Sequence, residues 1–168
     1  MFLSYDDIKI KAKIYDTEGR LIFLDPIKSW INKADCILLV LDASDNHQKE
    51  GIIFYYEEIL KRKASSAHLI FVSNKVKLED KYIAWPKEDR IKFINNLRKF
   101  NEAHIEIDCK EGYNIDKLKV LIIMCYLNKI RKVKTIINFE NSMCYLNKIK
   151  KIIKLEKPKR KKIKNKCT

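Results

Sequence analysis

Three short polar stretches hold the residue types that could meet a phosphate, a metal or a base. Asp16-Thr17-Glu18-Gly19-Arg20 joins a carboxylate able to hold Mg²⁺ through water to a glycine that lets backbone approach a phosphate. Asn74-Lys75-Val76-Lys77-Leu78-Glu79-Asp80 and Asp108-Cys109-Lys110-Glu111-Gly112 bring an amide, ammonium groups and carboxylates. Taken singly, the first is a plain strand-to-turn segment and the other two are polar loops. Their placement changes that reading, because each follows directly on an expected strand, and ligands of open α/β sheets bind beyond the carboxyl ends of strands.

The elements that must position them can be read from periodicity. Ile8, Ile10, Ala12 and Ile14 alternate with Lys9, Lys11 and Lys13, the period-two pattern of a half-exposed strand ending at Asp16. Residues 36–41 (CILLVL) and 69–72 (LIFV) are continuous apolar runs, as strands covered on both faces of a parallel sheet read, and Ile105 and Ile107 suggest another. Helix-length stretches fall between them at about 26–34, 49–63 and 87–102, the last opened by Pro86. From Asn114 a longer helix carries Leu118, Ile122, Tyr126 and Ile130 at four-residue spacing. The alternation predicts an α/β domain with a mostly parallel sheet of about four strands flanked by helices.

Near the end the heptapeptide MCYLNKI occurs twice, at 124–130 and 143–149. The second copy predicts a separate amphipathic helix with Tyr145, Ile149 and Ile153 on one face. After Pro158 the chain is nearly pure Lys/Arg, too polar to bury, and is expected to be disordered. The expected organisation is therefore an α/β domain over 1–131, a basic amphipathic extension over 132–157 and a polybasic tail over 158–168.

Charge sharpens this division. Residues 1–118 hold 20 Lys/Arg and 20 Asp/Glu, whereas 119–168 hold 16 Lys/Arg against Glu140 and Glu156, the whole net charge of +14. The 5 cysteines lack CxxC spacing and His partners, the start has no apolar signal segment, and the longest apolar run, 120–127, is too short to span a bilayer. These features point to a cytoplasmic protein without a transmembrane segment. His47, His68 and His104 are isolated and suggest no metal site.

Together, in this order on this skeleton, the three motifs resemble those of the Ras/Rab small GTPases, whose signatures run DTAGQ, NKxD and SAK. Residues 33–42 (KADCILLVLD) are similar to that family's strand after the second switch, and 110–118 (KEGYNIDKL) to the entry of its last helix. The resemblance covers about residues 5–131 and implies an incomplete P-loop GTPase-like fold, GTP/GDP and Mg²⁺ as cofactors, and GTPase effectors or regulators as partners. It implies Asp16 as the metal-linked aspartate and Gly19 as the γ-phosphate sensor. Asn74 and Lys75 would flank the guanine, with the backbone around Cys109 and the stem of Lys110 completing the base pocket.

Four departures from the family pattern each remove a physical function. The chain contains no GxxxxGK[ST], the nest of N–H groups that holds β- and γ-phosphates, and its 3 glycines, at 19, 51 and 112, supply no substitute. The family's first strand, first helix and most of the first switch have no counterpart. Arg20 stands where the family's glutamine orients the attacking water, and no other catalytic residue is assigned. Lys77 replaces the aspartate that accepts two guanine N–H groups, at a cost of roughly 1–3 kcal/mol per unmade bond, with Glu79 and Asp80 the only nearby carboxylates that could reach in.

The expected function is a small GTPase-like protein of signalling or vesicle traffic, with nucleotide binding weak or lost and hydrolysis impaired. Two alternatives stay open: a non-enzymatic basic adaptor whose tail binds anionic membrane or RNA, and a fragment of an active GTPase whose P-loop lies upstream. The Lys/Arg tail has three readings, a merely solvated extension, attraction to an anionic membrane surface and hence peripheral association, or nucleic-acid binding, the last weakened because no aromatic follows Tyr145 to stack on bases. Cys167 sits behind this tail but fits no lipidation pattern. In that family the missing first strand lies between the third and fourth, so the strand at 8–15 is expected to close directly onto 36–41 in a parallel sheet ordered as in sequence. The helices at 26–34, 49–63 and 87–102 would then share one face, and the duplicated helix would pack beside the helix from Asn114 or project outward.

Overall fold

The structure is a computed structural model that describes residues 2–5, 8–17, 24–99 and 102–131. The duplicated heptapeptide's second copy, the basic tail, Gly19 and Arg20 lie outside the described residues. The elements run β1 (Phe2–Tyr5), β2 (Ile8–Lys11), α1 (Leu24–Lys33), β3 (Cys36–Asp42), α2 (Lys49–Arg62), β4 (His68–Asn74), α3 (Lys87–Leu97), β5 (Ala103–Glu106) and α4 (Ile115–Arg131).

Strands β3, β4 and β5 form a parallel sheet in sequence order, with Ile37 beside Leu69, Leu39 beside Phe71 and Val72 beside Ile105. The centre of the sheet is β4, whose residues Leu69 to Ser73 are all buried, as a strand covered on both faces must be. Right-handed crossovers through α2 and α3 put both helices on one face. There Ile31 of α1, Ile52 and Ile59 of α2, and Ile94 of α3 join Leu41 and Phe71 in a single core, the shared face that the sequence predicts. Helix α4 adds nothing to this cluster and instead packs against β3 and β1, burying Leu121, Met124 and Cys125.

The first strands differ from expectation. Ile8–Lys11 pairs antiparallel with Phe2–Tyr5 across a two-residue connection, so the strand neither reaches residue 15 nor closes onto β3. The reason is pairing: β1 offers four residues of ladder, and among the described residues no strand pairs with Ile14, which is 63% exposed. Among the described residues the parallel sheet therefore has three strands rather than about four, with the hairpin as a second sheet.

Helix α3 also ends at Leu97, short of the expected 102. Glu102 stops it: its carboxylate accepts the Lys99 N–H at 2.9 Å and the Tyr56 hydroxyl at 2.9 Å, folding the chain into β5. Burial, the larger cause, and the hydrogen bond to Glu102 together raise the Tyr56 phenol's pKa.

Next to this turn, His104 shares a 2.9 Å hydrogen bond with the fully buried Ser73, and burial depresses its pKa to about 4. The neutral ring is the folded form, so the unfolded chain binds the extra proton between pH 6.5 and about 4. Stability should thus fall by up to roughly 3 kcal/mol as pH drops through that window. Urea denaturation of the wild type and His104→Gln across pH 4–7 checks this: the variant, which keeps a partner for Ser73, should show a shallower slope, the remainder coming from groups such as His68, whose pKa burial also lowers.

Candidate functional site

Three loops leave the carboxyl ends of β3, β4 and β5 side by side, which places the second and third sequence motifs together. Backbone bonds set their spacing: Ile107 donates to the Ser73 carbonyl at 2.8 Å, and Val76 donates to the Ile107 carbonyl at 3.4 Å.

The clasp between them is Asp108, whose side chain is 2% exposed. One carboxylate oxygen accepts the Lys110 and Glu111 N–H groups, each at 3.1 Å, and the other accepts the Lys77 N–H at 3.2 Å. Hydrogen bonds to a carboxylate are about twice as strong as neutral ones. Asn74 adds a second tie, its side-chain carbonyl accepting the Cys109 N–H at 3.1 Å. Asp108 and Tyr113 then close the third loop by exchanging backbone bonds of 3.1 and 3.0 Å. Gly112 and Asn114 turn the chain into α4 at φ values of 68° and 57°, where an L side chain is rarely tolerated except Asn.

The first loop is held just as tightly. Asp42 accepts the Ser44 N–H at 2.9 Å and its hydroxyl at 2.6 Å, and pairs with the Lys75 ammonium at 2.6 Å. Burial alone would raise the Asp42 pKa, but hydrogen bonds from Lys75 and Ser44 outweigh it and hold it below the usual value. The same pair raises Lys75, chiefly through the hydrogen bond to Asp42. Lys75 itself sits at φ 61°, a left-handed backbone that Gly would take more easily.

The structure thus brings Asn74, Lys75, Cys109 and Lys110 into one constellation. Asp16 lies exposed in the segment after β2, with no hydrogen bond or ion pair joining it to these loops among the described residues. Lys77 contributes only its backbone, and its ammonium rests 4.3 Å from the centre of the Tyr113 ring. Glu79 is engaged by Lys81 at 2.7 Å. A neighbouring cleft of about 420 Å³ lies between Lys77, Tyr113 and the start of α3, but Glu106 within it is matched by Lys87 at 3.2 Å and Arg90 at 3.0 Å.

A family model described as Ras family matches residues 2–128. The chain belongs to the Ras family. The α/β fold with its parallel sheet is an incomplete version of that family's P-loop GTPase-like domain. Members of the family bind GTP or GDP with Mg²⁺, so the loops of this Ras-family chain can be tested against such a ligand. Among the described residues Asn74 and Lys75 are tied to neighbouring loops, and Lys77, where the resemblance expects the base acceptor, is a cation lying on Tyr113.

Asp108 and Asp42 stand in the quoted segments without an assigned role, and Ser44 and Gln48 stand in none of them. Asp42-Ala43-Ser44 does carry a signal, since an Asp two residues before a Ser commonly caps the following backbone N–H. Nothing in the sequence announces Asp108 as buried. Replacing it by Ala should strand three N–H groups and cost about 3 kcal/mol or more, against under about 1 kcal/mol for exposed Glu111→Ala. Thermal and urea unfolding of the two variants measures the difference.

Proposed function

We propose that this Ras-family chain acts in intracellular signalling or vesicle traffic through protein partners of the effector or regulator kind, while binding guanine nucleotide weakly or not at all and hydrolysing GTP no faster than the uncatalysed rate. One observation carries the reading: the loops that would contact a base are satisfied by the protein's own groups. Asp108 takes three backbone N–H groups, Asn74 takes a fourth, and Asp42 takes the Lys75 ammonium. Loops tied this way hold their shape without a ligand, so binding partners need not depend on nucleotide state. The Lys77 ammonium opposes guanine further, because the two N–H donors of the base would meet a cation that accepts nothing.

A second reading concerns the basic end. The +14 confined to 119–168 favours attraction to anionic lipid at about 1 kcal/mol per basic residue near the surface, which would make the protein peripheral to a membrane. No helix among the described residues is long and apolar enough to cross one.

Titration with a fluorescent guanine nucleotide and Mg²⁺ should give dissociation constants of about 100 μM or weaker. Nanomolar to low-micromolar binding would overturn the proposal. Lys77→Asp should raise any residual preference for GDP over ADP, and an unchanged competition between the two would show that the loop is no base pocket. For the tail, removing 158–168 takes away six basic residues and should weaken sedimentation with phosphatidylserine vesicles, in a manner that salt suppresses in the intact chain.

A further inference from the structure

Strand β3 turns its two faces to different helices. Ile37, Leu39 and Leu41 join the core built with α1, α2 and α3, so the alternate residues Cys36, Leu38 and Val40 lie on the opposite face. Helix α4 packs on β3 without entering that core, and therefore meets the strand from the Cys36 side. Its inward surface includes Leu121, Met124 and Cys125, which share one helix face, and Cys125 is 1% exposed.

One turn further along α4, Lys129 pairs with Asp35, the residue before Cys36. This ion pair sets the register in which the Cys125 turn of the helix lies against the first residue of the strand. The two thiols meet there. A hydrogen bond with Cys36 is the largest cause that raises the Cys125 thiol's pKa, and burial is the second. Neither cysteine is in a disulfide, and Cys36 is the less buried of the two.

The other cysteine among the described residues is in the wrong place to compete. Cys109 follows β5 at the carboxyl end of the parallel sheet, whereas Cys36 opens β3 at the amino end. A strand of seven residues separates the two ends by about 20 Å, and a disulfide joins Cα atoms no more than about 7 Å apart.

We propose that Cys36 and Cys125 are a hydroperoxide-sensitive thiol pair, whose oxidation joins β3 to α4 through a disulfide. The Cys36 sulfur attacks one oxygen of hydrogen peroxide, the O–O bond breaks, and Cys36 becomes a sulfenic acid as one water leaves. The Cys125 sulfur then attacks the Cys36 sulfur, its proton departs with the hydroxyl as a second water, and the S–S bond forms. Two thiols lose two electrons and one peroxide gains them. A dithiol reductant reverses the bond by exchange. Burial keeps Cys125 from meeting the oxidant itself and reserves it for its neighbour. The bond closes a loop of about 90 residues, which restricts the unfolded chain, and it fixes to the sheet the helix that leads into the basic end.

The test treats the full chain with a small excess of hydrogen peroxide, blocks remaining thiols with N-ethylmaleimide and maps the unreduced digest by mass spectrometry. Cys36 linked to Cys125 should be the main product of Cys36, lighter by two hydrogens than the separate peptides and released by dithiothreitol. Oxidation should raise the urea midpoint by about 1 M or more, and Cys36→Ser should remove that rise. In Cys125→Ser, dimedone should capture Cys36 as the sulfenic acid, since the thiol that resolves it is gone. Any of five results overturns the proposal: Cys36 and Cys125 both recovered as maleimide adducts once Cys109 is oxidised; Cys36 joined instead to Cys109, Cys144, Cys167 or a second chain; a link that forms only in urea; a midpoint that oxidation does not raise; or an unoxidised Cys36 in Cys125→Ser.

Discussion

The buried carboxylate of Asp108 is the constraint on which the site depends. Its two oxygens collect N–H groups from the loop after β4 and from its own loop after β5, so neither loop can move without leaving a buried carboxylate short of donors. The strands set the rest. Because β4 is buried on both faces and paired on both edges, the loops at its carboxyl end inherit a rigid base, and β3 brings Asp42 within reach of Lys75. Fold and site are thus one argument: parallel strands deliver the loops to one end, and one aspartate fastens two of them there.

Much of this was legible in the sequence, for definite reasons. The runs at 36–41 and 69–72 are apolar throughout and the structure makes strands of both, but only the second is covered on both faces, since Leu38 and Val40 of the first are exposed. Helices α1, α2 and α4 fall within about two residues of their expected bounds; in α2 the spacing of Ile52 and Tyr56 reports the buried face, whereas α4 buries Leu121, Ile123, Met124 and Cys125 and leaves Tyr126 of the expected stripe exposed. The order of the three motifs was enough to find the family, which matches residues 2–128.

What sequence could not show depended on contacts distant in the chain. The β1–β2 hairpin was missed because Phe2–Tyr5 is four residues long and its pairing partner decides where β2 ends. The early end of α3 lies with Glu102 and with Tyr56, which is 46 positions from it. Periodicity has no means of reporting a hydrogen bond across that separation. The same holds for Lys77: its replacement of an expected carboxylate is plain in the sequence, but that its ammonium settles on Tyr113 is visible only in three dimensions.

The chemistry of the clasp has an evolutionary consequence. Asp108 grips residues 77, 110 and 111 through their main-chain N–H groups, and every amino acid except proline offers one. The side chains at those positions are therefore released from any duty to the architecture. Substitutions there can accumulate neutrally, changing charge or size while the loops keep their course, so a lineage can abandon one recognition chemistry before it acquires another. Position 77 illustrates that freedom: Asp108 holds its main-chain N–H, while the lysine's ammonium lies against Tyr113 and takes no part in the clasp.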